Sequence, residues 1–176
     1  GIRAAMQGSS LVMTDEEMLG ILTEHRKASE EKGKQAAEAA AEEALKAGAA
    51  YLDENGQRQG VNALPSGLQY KVLAAGDGPR ASMQDTVRAH YVGRFITGEE
   101  FEGTYSQGQP VDFPLQHVIP GWQEALQLMP SGSKWEVSVP SELAYGKRGT
   151  PNIPPNSTLV FDIELLGILG KTIGGK

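Results

Sequence analysis

Apolar residues follow two different periods along the chain, and the change falls near residue 67. From Leu68 onward they alternate with polar ones in short runs, the spacing of strands with one buried face. Leu68, Tyr70 and Val72 share one side of "LQYKV". Val87, Ala89, Tyr91, Gly93 and Phe95 share one side of "TVRAHYVGRF". Trp135, Val137 and Val139 do so in "KWEVSV", and Leu159, Phe161, Ile163 and Leu165 in "TLVFDIELLGI". One segment breaks the alternation, at residues 120–128. There Trp122, Ala125, Leu126 and Met129 stand at i, i+3, i+4 and i+7, behind a proline suited to a first helical turn. These elements predict an α+β fold, one antiparallel sheet with one face on one short helix.

Before residue 57 the pattern is helical. "GIRAAMQG" reads as a short amphipathic piece closed by Gly8, and "SSLVM" as a turn. Thr14 and Glu17 have capping-box spacing, with Asp15 and Glu16 in the first turn. A long helix is expected over residues 14–53, about 60 Å at 1.5 Å per residue, interrupted at Gly33 and Gly48. Its large apolar residues sit at the ends: Met18, Leu19, Ile21 and Leu22 early, Leu45, Tyr51 and Leu52 late. The middle has only alanine to bury. It suits a solvent-bridging helix or a weak coiled coil, and the lack of large apolar heptads favours the first. "ENGQRQGVNALPSG" is polar and turn-rich. The organisation expected is a helical region at 1–57, a linker and entry to the sheet at 58–67, the main domain at 68–170 and a tail at 171–176. No internal repeat is visible.

Composition narrows the chemistry. The 176 residues carry a net charge of −6, with 16 basic residues scattered among 22 acidic ones, so no basic stripe exists for nucleic acid. With no cysteine, thiol catalysis, disulfides and zinc–thiolate sites are excluded. His25, His90 and His117 form no ligand pair at helical spacing, so no metal site is expected. Neither a phosphate-binding loop nor a serine nucleophile elbow is present. No apolar run is long enough to span a bilayer.

The β half instead carries aromatic and aliphatic residues beside glycine or proline: Tyr91, Phe101, Phe113, Val118, Ile119, Trp122, Tyr145 and Phe161. Core packing alone also accounts for Phe113, Phe161 and Trp122. Tyr145 is different, because it lies among glycines and prolines outside any periodic element, and its hydroxyl needs a partner if buried. From the residues alone, this is an apolar recess with few polar atoms. In "FEGTY" a carboxylate, Glu102, follows the ring of Phe101 directly, so it either meets solvent or faces that recess.

Four stretches carry a resemblance: "VRAHYVGRF", "GEEFEGTY", "VIPGWQEALQLMPSGSKWEVSVPSELAYG" and "IPPNSTLVFDIELL". Over about 100 residues, the size of a small domain, they closely resemble the FK506-binding protein (FKBP) family of peptidyl-prolyl isomerases. The helical region, leading in through "YLDENGQRQGVNALPSGLQYKV", resembles the bacterial macrophage infectivity potentiator (Mip) branch. The resemblance implies an antiparallel half-barrel sheet wrapped on a short helix, preceded by a long helix and a short helical N-terminal segment. It implies isomerisation of X-Pro bonds in polypeptide clients without cofactor, metal or covalent intermediate. The alternative is a proline-binding module or chaperone with little turnover.

By that resemblance Trp122 is the pocket floor, and Tyr91, Phe101, Phe113 and Phe161 are walls. Val118 and Ile119 line the edge, with the Ile119 N–H facing a substrate carbonyl. Tyr145 donates its hydroxyl to a substrate carbonyl, and Ile153 closes the far rim. Glu102 stands where the family usually has aspartate, accepting a hydrogen bond from Tyr91. Val111 stands where many members have another phenylalanine. Both departures predict weakened turnover and weaker binding of tacrolimus- or rapamycin-type macrolides. The Mip branch further implies a homodimer through the N-terminal helices, if these are complete. A periplasmic or cell-envelope location is favoured, with the cytoplasm as the alternative.

Overall fold

The computed structural model describes residues 14–171. The helical piece expected at residues 1–8, the turn after it and the tail beyond Lys171 lie outside the described residues. The chain divides into two compact units, Gly1–Ala39 and Ala40–Lys176.

In the first unit the described residues are the opening turns of helix α1 (Asp15–Gly56). The capping box forms as its spacing predicts. Thr14 N–H donates to Glu17 Oε2 at 3.1 Å and Glu17 N–H donates to Thr14 Oγ1 at 3.4 Å. Each bond satisfies a backbone donor that a helix start leaves open. Every described residue of this unit is exposed, Met18, Leu19, Ile21 and Leu22 included. Arg26 and Glu30 pair at 3.6 Å across one turn, a contact worth only a few tenths of a kcal/mol. Gly33 does not break the helix.

The second unit begins with the remaining turns of α1. Ala41, Ala44, Gly48, Tyr51, Leu52 and Asn55 are partly or fully buried and recur at the helical period, whereas Leu45 points outward. The buried stripe starts with small residues, which lets the helix backbone come close to the sheet. At Gly48 a Cβ would collide with Thr158 Oγ1. Polar side chains close the remaining gaps. Asn55, only 3% exposed, donates from Nδ2 to Gln69 Oε1 at 2.9 Å, and Gln69 Nε2 donates to the Leu52 carbonyl at 2.7 Å. Asn156 Nδ2 donates to the Ala41 carbonyl at 3.1 Å.

The sheet has seven antiparallel strands: β1 (Val61–Ala63), β2 (Gln69–Ala74), β3 (Asp85–Phe95), β4 (Glu100–Gly103), β5 (Val111–Pro114), β6 (Lys134–Val139) and β7 (Leu159–Lys171). Their order is β1-β2-β6-β7-β3-β4, with β5 also paired to β3. Strand β1 forms within the segment whose composition suggested a linker. Short strands β4 and β5 hold too few residues to show a period. Helix α2 (Pro120–Leu128) packs against the sheet. Trp122, Ala125 and Leu126 of α2, with Met129 just beyond, meet Val87, Ala89 and Tyr91 of β3. Val137 and Val139 of β6 and Leu159, Phe161, Ile163 and Leu165 of β7 complete the core. The period-two faces read from the sequence are therefore the buried faces in β3, β6 and β7. In β2 the face decays along the strand, from Leu68 at 0% exposed just before it to Val72 at 42%.

Candidate active site

A recess of about 270 Å³ opens where the start of α2 meets β3, β4 and β7. Trp122 is set at its base by the first turn of α2. Ile119 caps that turn, and its carbonyl accepts from Trp122 N–H at 3.0 Å and Gln123 N–H at 3.1 Å. Three rings stand edge-on to the indole: Tyr91 at 5.1 Å, Phe113 at 5.2 Å and Phe161 at 5.3 Å between centroids. Perpendicular packing puts positive ring edges against a negative ring face. It fixes Trp122 from three sides, at 4% exposed. Its Nε1–H is buried and has no hydrogen-bond partner among the described residues.

Phe101 lies one layer behind. It packs edge-on against Phe161 at 6.0 Å and tilted against Phe95 at 4.9 Å, and it does not line the recess. Gly93 makes room for it, since a Cβ there would stand 2.7 Å from the Phe101 ring and 2.9 Å from Phe161. Val111 is exposed on β5, beside Ala89, and does not reach the recess. Ile153 is 4% exposed in the loop before β7 and belongs to the core, not to the lining.

The polar part of the lining is Tyr91, Glu102, His117 and Tyr145, with Val118 and Ile119 completing it. Glu102 lies opposite Gly93 in the β3–β4 register, so the strand directs it to the recess beside Tyr91. Burial first, then its hydrogen bond to Glu102 and that carboxylate's charge, hold the Tyr91 hydroxyl well above the ordinary phenol range. Burial, followed by the charge of Glu102, also raises the pKa of Tyr145. Both hydroxyls therefore keep their protons at neutral pH and remain donors. The Tyr145 loop is pinned by backbone bonds, Gly146 N–H to the Ser141 carbonyl at 2.8 Å and Asn156 N–H to the Gly146 carbonyl at 2.8 Å. Gly146 takes a left-handed conformation (φ 57°), which glycine adopts without strain.

His117 was not anticipated as a lining residue. Its isolation in the sequence excluded a metal pair, but its place directly before Val118 and Ile119 was the available signal. Among the described residues no cluster of histidine and carboxylate side chains fit to hold a metal is found. The geometry offers an apolar socket with protonated donors at its rim and no serine, threonine or cysteine in its lining.

A family model described as "FKBP-type peptidyl-prolyl cis-trans isomerase" matches residues 78–166. A second, "Domain amino terminal to FKBP-type peptidyl-prolyl isomerase", matches residues 1–72. The FKBP-type 22 kDa peptidyl-prolyl cis-trans isomerase of Escherichia coli is 53% identical over 123 residues, 69% of this chain and 60% of that protein. The outer membrane protein MIP of Legionella longbeachae is 44% identical over 170 residues, 96% of this chain and 72% of that protein. The crystal structure of FkpA from Escherichia coli superposes with a TM-score of 0.85 at 39% identity, covering 89% of this chain and 74% of that one. The chain thus spans less than two thirds of the first relative and nearly three quarters of the second. With both family models matched in sequence order and the fold shared at this identity, the chain belongs to the FKBP-type peptidyl-prolyl cis-trans isomerase family.

Proposed function

We propose that this chain isomerises X-Pro peptide bonds in folding or unfolded polypeptides. The observation that carries the reading is the Trp122 socket, closed edge-on by Tyr91, Phe113 and Phe161 and rimmed by two protonated tyrosines. Its size and apolar walls suit a pyrrolidine ring. The barrier to peptide rotation, about 18–20 kcal/mol, comes from amide resonance. The twisted transition state has lost that resonance and its charge separation. A dry socket therefore disfavours the planar ground state more than the twisted one. Fixed donors then hold the carbonyls flanking the twisted bond. Tyr145 and the Ile119 backbone N–H are assigned that work. Glu102 orients Tyr91, and Phe101 and Ile153 support the walls from behind. Lowering the barrier by about 6–8 kcal/mol gives roughly 10⁴–10⁶-fold acceleration.

The test is a proline-limited peptide assay. Trp122→Leu and Tyr145→Phe should each lower turnover while the fold is retained. Turnover equal to the parent's in both variants would sink the proposal. A binding module with little turnover is the second reading, and the longer Glu102 carboxylate favours it. Its other support, Val111, is weakened because that residue stands away from the recess. Macrolides of the tacrolimus or rapamycin type would occupy the same socket and inhibit turnover.

The Legionella relative is named an outer membrane protein, which supports a cell-envelope or periplasmic location here. No described helix is long and apolar enough to cross a membrane. Fractionation of the source cells decides the location.

A further inference from the structure

The β3–β4 ladder ends at Val92 opposite Gly103, one residue short of Tyr91 opposite Thr104. The backbone makes only half of that last rung, Thr104 N–H donating to the Tyr91 carbonyl at 2.9 Å. Thr104 has already turned to a right-handed helical conformation (φ −97°, ψ −17°) to start the short 3-10 turn Tyr105–Gln107. Its own carbonyl accepts from Gln107 N–H and is lost to β3. The side chain supplies the missing half: Thr104 Oγ1 accepts from Tyr91 N–H at 3.0 Å. The same oxygen lies 2.9 Å from His90 Nδ1 and 3.3 Å from the Tyr91 carbonyl. Thr104 is 3% exposed, so water does not compete for these bonds. A single hydroxyl thus anchors the backbone of Tyr91 and the end of the strand that carries Glu102.

We infer that Thr104 is a positioning residue for isomerisation: through the Tyr91 backbone and the end of β4 it sets the Tyr91 and Glu102 side chains against each other at the recess. The inference rests on the isomerase reading. Serine retains the oxygen at position 104. Valine keeps the shape but removes the oxygen, leaving the buried Tyr91 N–H without an acceptor and the β4 end free to shift.

The experiment is a double-mutant cycle on the full chain, with kcat/KM for a prolyl tetrapeptide and thermal unfolding read in parallel. Thr104→Ser should stay within about twofold of the parent. Thr104→Val should lose about tenfold in kcat/KM. In a Tyr91→Phe background, where the pair is already broken, Thr104→Val should cost no more than about twofold. Undiminished loss in that background would show a merely structural role and overturn the inference, as would full activity in Thr104→Val. Should Thr104→Val not fold, Thr104→Ala removes the same oxygen, admits water to the N–H and enters the same cycle. A parent chain with no turnover would sink the isomerase reading alone. The cycle read in affinity for the same tetrapeptide then decides on Thr104, by the same non-additivity.

Discussion

Glu102 shows how far a single residue can be read. The sequence left it between solvent and site, because a charge beside a ring in a loop satisfies either. The structure resolves this through strand register: Glu102 pairs with Gly93, two residues along β3 from Tyr91 and on the same face, and it lines the recess beside that ring. With one methylene more than aspartate, the Glu102 carboxylate still stands close enough to help hold the Tyr91 hydroxyl above the ordinary phenol range. A hydrogen bond to a charged group is worth about 1.5–3 kcal/mol, so Glu102→Ala should lower kcat/KM about tenfold. The prolyl-peptide assay checks it, and unchanged turnover would make Glu102 a spacer. A gain in Glu102→Asp would show that the longer side chain holds Tyr91 imperfectly. Phe101 shows the opposite limit. Its neighbour in sequence lines the recess, yet its ring is one layer behind, packed on Phe161 and Phe95 in the space left by Gly93, where the β3–β4 register shifts. Sequence order cannot distinguish a wall from the support of a wall.

At the scale of elements, the strands with long alternation and helix α2 were legible because each has a single buried face. Strands β1, β4 and β5 were not, since three or four residues carry no readable period. Helix α1 was legible as a helix but not as a packing partner. Its buried stripe uses Ala41, Ala44 and Gly48, which look inert on any hydrophobicity scale. Gly33 and Gly48 of α1 therefore carry opposite expectations. Gly33 has open space around it, so Gly33→Ala should raise helix stability by about 0.5–1 kcal/mol through propensity alone. Gly48→Ala should instead destabilise, because its Cβ meets Thr158 Oγ1. Thr158→Ala should restore the loss by making room. Thermal melts followed by circular dichroism give both signs, and stabilisation by Gly48→Ala would contradict the close packing.

For the whole molecule, the sequence gives the domain type and leaves the assembly open. Met18, Leu19, Ile21 and Leu22 are 45–68% exposed within two turns of α1, a clustering that monomeric helices avoid. We expect a homodimer in which these residues meet the partner's helical region. Light scattering should give twice the chain mass for the parent and the single mass for a Leu19→Ser, Leu22→Ser variant. A monomeric parent would remove the proposal for this chain. The expectation draws on the apolar cluster, because buried area in a partner is not written in one chain's alternation of polar and apolar positions.

Asn156 belongs to two bodies of contacts at once. Its side chain holds the Ala41 carbonyl of α1, and its backbone holds Gly146, the residue after Tyr145. A peptide that steadies Tyr145 should therefore steady the docked turns of α1, and anything that frays those turns should loosen the peptide by the same factor, since such coupling is reciprocal. Hydrogen exchange makes this visible: amides of α1 near Ala41 and Leu45 should exchange more slowly when a prolyl peptide is bound. That slowing should vanish in Asn156→Gly, which keeps the left-handed backbone (φ 59°) and loses the bridge. Occupancy of the socket would then be recorded in the exchange rates of a helix outside it.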